Sequence, residues 1–171
     1  MGVNYNDRVS GLRFVYLLGL AVWMGGLITL AATVAPTAFE VLQARLPDTG
    51  RTLAGALFGA MLGRFHLVAG ACGLAMLACL VGMALVGPRP RPFAARVAVV
   101  GLMLALTIVA AGPVTRGIER LRHEAGGQPI AALPDQDPRR VSFNRLHGLS
   151  NALLLVNVAG GLLLLWWEAR R

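Results

Sequence analysis

The stretch Gly55–Gly87, GALFGAMLGRFHLVAGACGLAMLACLVGMALVG, decides the fold. It is apolar throughout except for the cluster Arg64-Phe65-His66. Gly55, Gly59, Gly63, His66, Gly70 and Gly73 follow at intervals of 4, 4, 3, 4 and 3, the repeat of one α-helical face. Glycine at that spacing lets a neighbouring helix come close, which is how helices pack in lipid. These glycines are therefore expected to be helix-packing residues. His66, inside the same stripe, is expected to point into protein rather than into lipid.

Working outward, three more apolar segments reach the ~20 residues that a membrane span requires. The four expected spans are Phe14–Ala38, Leu67–Gly87, Phe93–Gly112 and Gly148–Trp167. The 171-residue chain is 14% charged and 56% hydrophobic, with a mean hydropathy of +0.65, against about 25% charged for soluble domains. The reading is all-α: a polytopic membrane protein of four transmembrane helices in an up-down-up-down bundle. One domain, residues 1–171, uses the whole chain, and some helices extend beyond one face.

All 16 basic residues are arginine and the net charge is +8. They flank spans instead of forming a basic run with interleaved aromatics, so anionic headgroups of a lipid bilayer are the expected partner and nucleic acid is not. Arg8, Arg13, Arg89, Arg91, Arg96, Arg170 and Arg171 fall in short segments on the side of both termini, which favours cytoplasmic termini. Cys72 and Cys79 both lie in the second span, with neither a disulfide framework nor a zinc spacing.

Along the chain, Asp7 and Ser10 are candidate caps for a helix beginning near Gly11. Its expected inner face is Gly19, Trp23, Gly26, Thr29 or Leu30, Thr33, Thr37 and Glu40. Pro36 marks a kink through which the helix continues. Pro47-Asp48-Thr49-Gly50 reads as a turn capping the second helix, which Gly87-Pro88-Arg89-Pro90-Arg91-Pro92 stops. The third helix passes Pro113 and becomes charged. Residues 123–136, with Gly126-Gly127, form a loop, and Asp137-Pro138 caps the fourth helix. Trp166-Trp167 is an interfacial anchor. A weak internal repeat pairs Arg64-Phe65-His66 with Arg145-Leu146-His147, and Ala35-Pro36 with Gly112-Pro113; duplication and chance similarity both remain open.

Three constellations bear on chemistry. His66 and His147 both precede even-numbered spans and so lie at one membrane face; two inward imidazoles at one depth suit an axial haem or a copper ion, or simply hydrogen-bond neighbouring helices. His147 opens a stripe of Ser150, Leu154, Asn157 and Gly161, in which Ser150 and Asn157 are helix-packing candidates. Cys72, Met76, Cys79 and Met83 recur at 4, 3 and 4 on one helix face, with Met61 further along; thiol and thioether suit Cu(I), and equally fill cores. Arg64, Arg145, Glu40 and Glu119 form a charged head. No phosphate loop, zinc-protease helix or nucleophile elbow occurs, so no catalytic set is expected.

Ala21-Val22-Trp23-Met24-Gly25-Gly26-Leu27, Ala35-Pro36, Gly55-Ala56-Leu57-Phe58, Arg64-Phe65-His66 and Phe143-Asn144-Arg145-Leu146-His147-Gly148-Leu149-Ser150-Asn151 together resemble a widespread family. It comprises small four-helix membrane proteins related to the vertebrate transmembrane protein linked to cisplatin resistance, with uncharacterised bacterial members. The Trp-x-Gly-Gly stretch is more distantly similar to the copper-resistance D membrane domain and to the haem-associated membrane oxidase of porphyrin synthesis. The resemblance implies roles for Trp23, Gly25, Gly26, His66 and His147, and copper or haem b as possible cofactors. The copper and porphyrin families usually place a histidine early in span 1, where this chain has Phe14, Val15 and Tyr16. The first expectation is an accessory or scaffolding subunit of a larger complex in the bacterial inner membrane, with a homo-oligomer as another possible assembly. The alternative is a copper- or haem-handling protein using His66 and His147.

Overall fold

A computed structural model describes residues 5–87, 91–126 and 128–170. Pro88-Arg89-Pro90 of the expected basic connection, Gly127 of the loop and Arg171 lie outside the described residues. Four helical rods run up, down, up and down. The first comprises α1 (Tyr5–Thr29), a π turn (Leu30–Val34) and α2 (Ala35–Arg45). The second is α3 (Gly50–Val86). The third comprises α4 (Phe93–Val109), a second π turn (Ala110–Val114) and α5 (Thr115–Glu124). A 3₁₀ turn, Ile130–Ala132, precedes the fourth rod, α6 (Pro138–Ala169). Each rod is long and apolar enough to cross a membrane. At ~1.5 Å per residue α3 alone is about 55 Å long, well over the ~30 Å hydrocarbon core, so the rods overshoot on the side away from the termini.

The π turns explain how the odd rods absorb proline. Pro36 and Pro113 have no N–H to give to the carbonyl four residues back. Near each, the ladder steps to five-residue pairing: the Ala35 N–H donates to Leu30 O, and the Thr115 N–H to Ala110 O. The Thr115 hydroxyl also donates to Ala110 O at 2.7 Å. A π turn holds an extra residue and rotates everything beyond it. Tyr16, Gly19, Leu20, Trp23, Met24 and Leu27 are buried, so the expected inner face of the first rod holds on α1. Past the turn it fails: Thr33, Thr37 and Glu40 are exposed, while Val34, Phe39 and Leu42 turn inward. The first rod also starts earlier than expected, with Asp7 and Ser10 inside α1.

The remaining boundaries follow local chemistry. Asp137 caps α6, its carboxylate accepting from the Arg139 N–H at 2.8 Å, with Pro138 at the first helical position. Thr49 occupies the cap position of α3 without a side-chain cap bond. Gly50 is needed there because a Cβ would collide with the Leu42 backbone. The bundle interior is filled by Tyr16, Leu20, Trp23, Met76, Leu80, Val100, Met103 and Leu164, all at most 1% exposed. Phe14, Leu67, Leu85 and Ile108 are among the large apolar side chains that remain outside; facing hydrocarbon, they need no protein partner.

The glycine stripe takes side chains rather than a helix backbone. A Cβ at Gly73 would lie 2.5 Å from Leu104 and 2.7 Å from the Trp23 ring, and one at Gly55 would lie 2.8 Å from the Arg122 guanidinium. Gly59 faces Arg122 as well. Among the described residues, nothing lies within 4 Å of a Cβ built at Gly63 or Gly70. Gly26, on α1, accommodates the Phe65 ring, which a Cβ would overlap.

Candidate functional site

Two polar layers are buried in the bundle. The first is neutral and lies toward the loop side. His66 from α3, Trp23 from α1, Thr107 from α4 and Ser150 with Asn157 from α6 line a cavity of ≈ 20 Å³, with Ala110 of the second π turn beside them. All four rods therefore contribute. Asn157 is 4% exposed; its Nδ2 donates to Leu153 O at 3.0 Å and its buried Oδ1 has no hydrogen-bond partner among the described residues. The buried Nδ1 of His66 has none either. The Thr107 hydroxyl donates to Met103 O at 2.9 Å. An unmet buried polar atom costs about 1–3 kcal/mol; this layer carries two, and Arg96 in the second layer carries two more, its Nε and Nη2.

The second layer is charged and lies toward the termini. The Arg96 side chain is fully buried and its Nη1 pairs with Glu168 Oε1. Arg13 Nη2 reaches the other oxygen, Oε2, at 2.8 Å, and its Nε donates to the same atom at 2.9 Å. The Arg96 guanidinium also sits 6.0 Å from the Trp167 ring centroid. One carboxylate thus clamps α1, α4 and α6. In the sequence Arg96 counts among the flanking arginines on the side of the termini, and Glu168 is assigned no role. The available signal was phase: Arg96, Val100, Met103 and Thr107 recur at 4, 3 and 4, and all four are buried.

The sequence-derived ligand candidates do not assemble here. His66 lines the neutral cavity. His147 does not; it is exposed and stacked on Phe143, one turn away on α6, with ring centroids 6.0 Å apart. The matching Arg-x-His clusters seat at different heights. Phe65 fills the space at Gly26, before the first π turn, whereas Leu146 fills the space at Gly117, beyond the second. That slides α6 outward, leaving Ser150–Asn157 level with His66. Met76, Cys79 and Met83 are buried in the apolar core with Cys72 packed against it, and none of the four lines the cavity. Among the described residues no three His, Cys, Asp or Glu side chains cluster as metal ligands would.

The head is held by separate short pairs. Arg120 meets Glu124 at 2.7 Å and Arg140 meets Asp135 at 2.7 Å, while Arg122 donates to Gly55 O at 3.1 Å. Asp137 is pulled down to about 2 by its hydrogen bonds from the Arg139 side chain and backbone.

These features define a four-helix membrane-type bundle with a filled interior and two buried polar layers. Residues 18–125 match the family described as Domain of unknown function (DUF4149), and the chain belongs to that family. No curated protein and no solved structure matches the chain.

Proposed function

We propose that this chain is a non-catalytic integral membrane subunit that acts by packing, in lipid and against a larger membrane complex. We place it in the bacterial inner membrane as a single four-helix domain with both termini in the cytoplasm. One observation carries this reading. The polar cavity inside the bundle has ≈ 20 Å³, whereas small-molecule sites span roughly 300–1,000 Å³. Large side chains occupy the remaining core, including Trp23, Tyr16, Met103 and Leu164. The larger hollow, ≈ 220 Å³ between α4 and α6, is lined only by apolar residues such as Leu102, Leu106, Val156 and Leu163, which suits hydrocarbon.

The copper- or haem-handling alternative rests on His66, which lines the cavity and whose buried Nδ1 has no hydrogen-bond partner among the described residues. Its other candidate ligands, His147, Cys72, Met76, Cys79 and Met83, lie elsewhere. A porphyrin does not fit within the cavity. Purification from native membranes in mild detergent, with a visible spectrum and copper and iron analysis, tests both readings. The expected result is a colourless protein accompanied by a second polypeptide in fixed ratio. A Soret band or near-stoichiometric copper that disappears in His66→Ala would overturn the proposal, as would a partner-free monomer.

A further inference from the structure

We propose that the cavity beside His66 is a binding site for one water molecule, held between His66 Nδ1 and Asn157 Oδ1. The site goes beyond the subunit role above and does not depend on it. Its chemistry follows from which atoms are already committed. Donation from Asn157 Nδ2 to Leu153 O fixes the amide orientation, so the atom left for the cavity is an acceptor. Thr107 has given its proton to Met103 O, and its oxygen keeps acceptor capacity. The ligand must therefore donate. His66 Nδ1 can accept from it or donate to it, according to tautomer, and Ser150 supplies a hydroxyl on the same wall.

Charge and size narrow the choice. Among the described residues no carboxylate lines the cavity, so a metal ion or ammonium there would be buried without a counter-charge, which is strongly disfavoured. The ligand is neutral. A cavity of ≈ 20 Å³ exceeds the ~10–15 Å³ that admits one water and falls far short of a larger solute; a buried water typically makes about three hydrogen bonds. Asn157, Thr107, His66 and Ser150 meet that number from three rods. The water therefore ties α3 to α4 and α6 at a level where the side chains do not bond one another directly. Among the described residues that line the cavity, His66 is the only titratable side chain.

Water-edited solid-state NMR of the full-length 13C,15N-labelled protein in lipid bilayers tests this. Polarisation from water should reach His66 Nδ1 and the Asn157 side-chain amide together, while the methyl groups of Met76 and Leu80, deeper in the core, stay dark. Asn157→Leu should reduce the transfer to His66 severalfold. Absence of transfer in the wild type, or transfer to His66 unchanged in a folded Asn157→Leu, would overturn the shared water. If Asn157→Leu does not fold, His66→Phe gives the reciprocal reading at the Asn157 amide: loss of its water signal supports the site, and an undiminished signal overturns it.

Discussion

The two buried polar layers solve the same problem in opposite ways. Toward the termini, the charge of Arg96 is neutralised through Nη1 by Glu168, with Arg13 on the other carboxylate oxygen, while its Nε and Nη2 have no hydrogen-bond partner among the described residues. Toward the loops, His66 and Asn157 face a shared cavity with one polar atom each unmet. Eleven residues separate Arg96 from Thr107, and eleven separate Asn157 from Glu168, or about 16 Å along a helix. Between the layers lie Tyr16, Leu20, Met76, Leu80, Val100, Met103 and Leu164. A charged layer must neutralise its own charge because an unpaired ion in a low-dielectric interior is too costly. A neutral layer can stay open to a small polar guest. The difference locates permanence at one end and adaptability at the other.

The strongest way to break this comparison is Glu168→Leu, which leaves Arg96 buried without its carboxylate. A loss of about 3–5 kcal/mol is expected, measured by reversible SDS-titrated unfolding in mixed micelles. The double variant Arg96→Leu/Glu168→Leu should recover most of it. A single variant as stable as wild type would show that the clamp does not hold the helices.

Next is the apolar seal between the layers. Gly73→Val should cost about 1–3 kcal/mol by overpacking, because its new Cβ would meet Leu104 and the stiff Trp23 ring. Gly63→Val, from the same glycine stripe but with open space around it, should change stability much less. Equal losses at the two positions would mean that the stripe contacts something uniformly along its length.

The smallest effect belongs outside both layers, at the Asp137 cap. Its carboxyl is depressed from 3.8 to about 2. Its stabilisation is therefore complete above the unfolded value and is lost as pH falls through the folded one. Amide exchange at Arg139, whose N–H donates to Asp137, should accelerate toward pH 2, relative to distant helical amides, in the wild type. In Asp137→Ala it should be fast already at neutral pH. Identical protection in the two proteins at neutral pH would remove the cap from the account.

The four spans, the overshooting helices and the α6 cap were legible because each rests on a local signal: apolar length, or a capping residue followed by proline. The inward face of α1 was legible up to Leu27 by simple periodicity. Beyond it, Thr33, Thr37 and Glu40 were misplaced because helical spacing carries no mark of an inserted π turn. The burial of Arg96 was not legible because a flanking arginine looks the same in sequence whether it meets water or a carboxylate 72 positions away. His66 was correctly expected to face protein. Its separation from His147 was hidden, since the offset between α6 and α3 depends on how Phe65 and Leu146 seat on different glycines.

The first π turn also changes the polarity of the outward side of its own rod. Below it, the outward side of the rod is Phe14, Leu18, Val22 and Ile28; from Thr29 onward it gains Thr33, Thr37 and Glu40 beside Ala32, Pro36 and Val41. On the third rod a similar change falls between Ile108 and Arg116, whereas on α3 exposed Met61, Leu57 and Leu53 continue beyond exposed Arg64. By swinging hydroxyls outward past Thr29, one inserted residue makes the outer face of the first rod more polar than its apolar start.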